Sequence, residues 1–172
     1  MKVTEKLISH IEGINMISDV NNLSKDVYST INEERFTPNN STYNELASSG
    51  NLSLIENDSI KQLLLDLEEL YKNNLFGIEH EAFEYKEYIN KSLFTYVDLN
   101  SLKSIFYNGK TAESLSINKD HFNALFNSLE YKNGLAISNI ISEEFIPRYK
   151  DIKKKSSLLI DIINNDLEIY ND

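Results

Sequence analysis

Apolar residues recur along this chain mostly at spacings of three and four, the period of a helix that buries one face. From Thr4 to Glu34 the stripe runs through Leu7, Ile11, Ile14, Ile17, Val20, Leu23, Val27 and Ile31, so one long helix is expected, with Thr4 as its N-cap. Gly13 and Asn21-Asn22 weaken it locally. Between Arg35 and Ser41 the pattern lapses: Thr37 precedes Pro38 and is driven toward extended geometry, while Asn39 and Asn40 favour turns. A connector is expected there.

A punctuated corner follows. Thr42 and Glu45 have capping-box spacing, Tyr43 and Leu46 share a helical face, and Gly50 stands where a residue just past a helix end belongs. One short helix over 43–49 is expected, closed by a buried turn in which Leu52, Leu54 and Ile55 dock. Asn57 or Asp58 then caps a long helix whose stripe is Ile60, Leu64, Leu67, Tyr71, Leu75, Ile78, Ala82, Tyr85 and Ile89, with a flexible point at Gly77 and a strongly acidic polar face. From Leu93 to Lys119 the period weakens, and Asp98, Asn100, Ser101, Asn108 and Gly109 supply turn chemistry around a short helical piece, Leu102 to Phe106. An irregular crossover is expected. After Asn118, Phe122, Leu125, Phe126 and Leu129 resume the helical spacing, and a last long segment runs from about Glu130 to Tyr170. Pro147 removes one backbone donor and crowds the preceding turn, giving either one bent helix or two abutting ones. The fold class is therefore all-α: a bundle of long antiparallel helices with a short capped corner and an irregular crossover, in a single domain over 1–172.

Composition narrows the function classes. There are 27 acidic against 17 basic residues in 172, a net charge of -10, which disfavours nucleic-acid backbones and anionic membranes as partners. Cysteine is absent, which excludes disulfides, thiolate metal sites and cysteine nucleophiles. No apolar run is long enough for a membrane-spanning helix, and the first residues lack the apolar region of a signal peptide. Ten Tyr and eight Phe invite a base-stacking platform, but such platforms work beside a positive groove, so the aromatics are assigned to the core.

Candidate chemistry is sparse. Glu79, His80, Glu81, Glu84 and Glu87 converge on the acidic helix, and His80 and Glu84, at i, i+4, share a face from which they could hold a divalent metal. The zincin pattern needs a second His where Glu84 stands, and no His follows a Glu by three residues. A solvated face is the simpler account, and no cofactor or catalytic residue is assigned. Asn108-Gly109-Lys110-Thr111 has a superficial likeness to a phosphate loop, yet Ser104 stands where its first glycine belongs, so an ordinary turn is expected. His10 and His121 lie far from His80 in sequence, and no Gly-x-Ser-x-Gly elbow is present. The basic cluster Lys150, Lys153, Lys154 and Lys155 covers about one turn and points in several directions; a solvated face, open to pairing with the acidic helix, is expected of it, with membrane-surface or phosphate contact as the alternative.

One stretch, Phe36-Thr37-Pro38-Asn39-Asn40-Ser41-Thr42-Tyr43-Asn44-Glu45-Leu46-Ala47-Ser48-Ser49-Gly50-Asn51-Leu52-Ser53-Leu54-Ile55, resembles an uncharacterised bacterial family, domain of unknown function 6090. The continuation Asn57 to Tyr71 and the block Tyr131-Lys132-Asn133-Gly134-Leu135 fit the same pattern. The family comprises small single-pass membrane proteins with a helical soluble region, so the resemblance implies an anchor upstream and an envelope-facing domain. This chain lacks the spanning helix, as an excised soluble region or an anchorless member would, and without an anchor the domain is cytoplasmic. The family implies no reaction.

Three functions follow in order. First is a non-enzymatic helical interaction or signal-input domain that binds a protein partner or a copy of itself. Second is an acidic protein that imitates nucleic acid toward a basic partner through Glu79, Glu81, Glu84 and Glu87. Third is a metal binder or metal-assisted hydrolase built on His80 and Glu84.

Overall fold

A computed structural model describes residues 2–31 and 36–169, without the side chains of residues 76, 78–86 and 168–169. The fold is all-α, with no strand among the described residues. Its helices are α1 (Val3–Ile11), α2 (Val20–Ser29), α3 (Ser41–Ser48), α4 (Asp58–Tyr96), α5 (Leu99–Tyr107), α6 (Asn123–Asn127) and α7 (Leu129–Ile169), with short 3-10 turns at Asn51–Leu54, Glu113–Leu115 and Lys119–Phe122. The chain forms two compact units, Met1–Glu34 with His80–Ser142 and Arg35–Glu79 with Glu143–Asp172. Two of the three crossings between them fall inside helices α4 and α7 rather than in Pro-, Gly- or Ser-rich linkers, which is why the sequence reads as one body.

In the first unit, the expected helix from Thr4 to Glu34 is two helices. Gly13 takes φ 72, a left-handed conformation that ends α1, and Asp19 restarts the chain by accepting the Asn22 backbone N–H at 3.1 Å. Thr4 is not the cap: it lies inside α1, where its hydroxyl donates to Asn139 Oδ1 on α7, while Glu5 takes the Lys2 backbone N–H at 3.1 Å. Residues 32–35, where the expected helix and connector meet, lie outside the described residues. Lys6 on α1 pairs with Asp26 on α2. The fully buried Leu7, Leu23, Val27, Leu93, Leu125 and Tyr131 are brought together from five helices, each removing about 1.5–3 kcal/mol of apolar side chain from water. α4 and α7 run antiparallel here, Lys91 Nζ meeting Glu130 Oε1 at 2.8 Å and Gly134 facing Ile89. Asp98 caps α5 through the N–H groups of Asn100 and Ser101, and Tyr28 on α2 packs against Phe106 with ring centroids 5.2 Å apart.

In the second unit, Asn57 Oδ1 accepts from the Ser59 and Ile60 backbones and caps α4. Its amide also donates to both carboxylate oxygens of Asp166 on α7, at 2.9 and 3.0 Å. Further along, Lys155 Nζ donates to Asp66 Oδ2 at 2.6 Å, so the two helices are again antiparallel. Gly50 takes φ 75 after α3. The corner differs from expectation in two respects. Thr42 and Glu45 make no capping box, because the N-cap is Asn40 and the first turn is closed by Asn39 Oδ1, which accepts from Ser41. Nor is the corner buried: Tyr43, Leu46, Leu52 and Ile55 are half-buried and Leu54 is 73% exposed. Leu75, expected on the inner stripe of α4, is exposed, and Asn74 is buried in its place. Asn74 Nδ2 donates to the Phe36 carbonyl at 3.3 Å, a partner from the connector that α4's own pattern cannot reveal. Pro147 lies within a single α7 helix, so the alternative of two abutting helices does not occur.

Candidate functional site

The outward face of α7 in the second unit carries the most distinctive surface. Inward, Phe145, Ile152 and Leu159 follow one seven-residue spacing; outward, Ile146, Lys153, Ile160 and Leu167 follow another, and all four are exposed. Between the outward stripe and the 36–40 connector lies a groove of about 460 Å³ with Phe36, Tyr149, Ile152 and Ile160 as its apolar lining and Lys153, Ser156 and Ser157 at its polar edge. Its aromatic wall is held by the Phe36 ring, which contacts Tyr71 at 5.9 Å and Tyr149 at 6.0 Å, and by Phe145 against Tyr149 at 5.8 Å. Arg148 lies over the Phe145 ring at 5.1 Å. A smaller hollow of about 240 Å³ shares Ser156 and Ile160 and opens on Tyr43, Leu64 and Tyr71.

The basic cluster divides its work here. Lys155 turns inward to Asp66, whose hydrogen bond and charge hold the ammonium above its ordinary range, and Lys155 with Gln62 holds the Asp66 carboxyl below its own. Lys150, Lys153 and Lys154 stay exposed, with no ion-pair partner among the described residues. The groove thus presents apolar side chains and uncommitted positive charge, a combination suited to binding rather than to moving protons.

A second cleft, of about 230 Å³ in the first unit, gathers Tyr96, Asp98, Ser101 and His121 over Leu102 and Phe122. Its residue types suggest a triad, but the geometry is that of a helix cap. Ser101 Oγ donates to Asp98 Oδ2 at 2.5 Å, and this bond holds the carboxyl below its usual range, making it a weak proton acceptor. His121 Nδ1 lies 2.9 Å from Asn118 Oδ1. The hydroxyl therefore addresses the carboxylate directly instead of an imidazole. No family model, curated protein or solved structure matches the chain.

Of the residues singled out in the sequence, Glu87 is exposed, whereas the side chains of Glu79, His80, Glu81 and Glu84 lie outside those described. Among the described residues no group of three or more His, Asp and Glu is placed to hold a metal ion. Gly109 takes φ 68 and ends α5, with the Lys110 N–H returning to the Ser104 carbonyl at 3.3 Å, so Asn108-Gly109 is a helix-terminating turn. No helix of the described residues is long and apolar enough to cross a membrane. Several aromatics assigned to the core are at the surface, notably Phe94 at 73% and Tyr107 at 60% exposure. The groove itself went unread, because Phe36 reaches it from a connector more than a hundred positions from its other wall. One signal was available: apolar residues on α7 follow a second stripe, about 100° around the helix from the buried one.

Proposed function

We propose that this chain is a non-enzymatic interaction domain that meets a protein partner through the outward face of α7 in its second unit. The observation that supports this is the run Ile146, Ile160 and Leu167, exposed to 37%, 58% and 56% beside the groove at Phe36 and Tyr149. Exposed apolar residues recurring along one stripe beside an apolar groove suit this face to a binding surface. The resemblance to membrane-anchored proteins supports a setting beside a membrane for such a domain. Photo-crosslinking amino acids placed one at a time at Ile160 and, for comparison, at Lys103 on α5 test the proposal in the source cells. Defined protein adducts at Ile160 and none at Lys103 are expected; equal yields at both positions would remove the support.

A further inference from the structure

We infer that the occupant of this face is a second copy of the chain, docked with its α7 antiparallel to the first across a twofold axis at Ser157. The inference rests on the interaction reading above and specifies its partner. Taking Ser157 as origin, the outward residues occupy nearly symmetric positions. Ile146 and Leu167 stand at the two ends, Lys150 and Asn164 lie seven positions either side, and Lys153-Lys154 on one arm balances Ile160-Asp161 on the other. All are exposed. A twofold axis brings each residue against one on the same flank of the other copy at nearly the same distance beyond the centre, here within one position, so the two arms must be complementary to each other.

They are. On one flank Lys154 meets the second copy's Asp161, and symmetry makes this ion pair twice. Neither residue has an ion-pair partner among the described residues of its own chain, although Lys155 and Asp66 close by are committed to each other. On the other flank the Lys153 stem lies along the second copy's Ile160, with its ammonium free to reach solvent at the rim. Ile146 meets Leu167 at each end. The central pair is Ser157 on Ser157, small enough for the helix axes to approach to roughly 8–10 Å. The groove opens on the Ile160 flank, so the arriving Ile160 and Lys153 stem have an apolar bed prepared by Phe36, Tyr149 and Ile152. A parallel arrangement fails on the same facts, since it sets Lys153 and Lys154 against their own copies.

The chain has no cysteine, which gives a direct test. In the full chain carrying Ser157→Cys, mild oxidation should link copies at least about tenfold faster than in a chain carrying Ser53→Cys on the exposed turn of the corner, because the axis holds two thiols together. Asp161→Lys should suppress that linkage, and adding Lys154→Asp to it should restore the rate, while helical circular dichroism stays unchanged. Equilibrium sedimentation of the unmodified chain should show a concentration-dependent dimer. A monomer at every concentration, a Ser157→Cys rate equal to that of Ser53→Cys, or failure of the charge swap to restore linkage would each overturn the inference. A monomer that nevertheless gives defined adducts to another protein from Ile160 would overturn it and leave the interaction reading standing.

Discussion

The two units are built from the same pair of long helices, yet they bury side chains very differently. In the first, Leu7, Val27, Ile89, Leu93, Leu125, Tyr131 and Leu135 retain no exposure at all. In the second, the best-buried apolar residue described is Ile152 at 4%, and the only fully buried side chain described is a polar one, Asn74, whose Oδ1 has no hydrogen-bond partner among the described residues. The difference lies in what covers the helices. α1, α2, α5 and α6 add layers to α4 and α7 in the first unit, whereas the second has the connector, α3 and the turn at Asn51–Leu54, with no buried residue among those described. A thin core is compatible with a surface that completes itself by association, and a thick one with a scaffold.

The largest test of that contrast is truncation in each core. Leu93→Ala should destabilise the first unit by about 2–5 kcal/mol, since its neighbours are packed on all sides and cannot collapse into the space. Leu67→Ala, at a site that keeps 5% exposure beside an open hollow, should cost about half as much. Amide hydrogen exchange across each unit reads both values, and equal losses would show that the second core is as tight as the first.

Gly134 sharpens the comparison from the side of overpacking. A Cβ there would stand 2.7 Å from Ile89 Cγ1 and 3.3 Å from the Ile89 backbone nitrogen, and Ile89 is itself fully buried. Gly134→Ala should therefore cost about 1–3 kcal/mol from crowding, of which the helix preference of Ala returns about 1. A net gain in the first unit's melting temperature would mean that the helices part there without penalty. In the second unit Asn57→Ala should cost about 1 kcal/mol as a lost cap, and somewhat more because the amide also holds Asp166. Asn57→Ser separates the two roles, keeping the cap while losing the bond to α7; it should recover most of the loss in a urea melt if capping dominates.

Much of this architecture was legible in local sequence, and the reason is that its determinants are local. The stops and starts at Asn57, Asp98, Asn118, Gly50 and Gly109 each act within one turn of where they stand. What the sequence did not disclose depends on distant partners. Asn74 displaces Leu75 from the interior because the Phe36 carbonyl reaches it, Thr4 serves Asn139 on α7 instead of a helix end, and the groove exists only once the connector crosses α7. The break between α1 and α2 is an intermediate case. Gly13 was visible, but the unbroken apolar stripe across it argued for continuity; the stripe survives except at Ile14, which stands 70% exposed just past the break, because both short helices face the same core.

The smallest expected effect concerns pH in the second unit. Lys155, chiefly, and Gln62 donate hydrogen bonds that hold the Asp66 carboxyl below the ordinary 3.8, so the folded form binds its proton more weakly than the unfolded one. The stability this confers is complete above that ordinary value and is lost as pH falls through the depressed one. Lys155 is shifted upward by the same partner from the ordinary 10.5, so its contribution is complete below that value and is lost as pH rises through the raised one. Between the two limits the pair is fully formed and stability should be flat in pH on its account. Asp66→Asn removes the acid slope and weakens the alkaline one, to which Asp151 and Glu69 also contribute. Melts followed through the methyl signals of Ile152 and Ile89 should show a shallower acid limb for Ile152 only, since the first unit keeps its own depressed carboxyl at Asp98. If the limbs of both residues change together, the units unfold as one, and the contrast between their cores is a difference in packing that does not extend to independent stability.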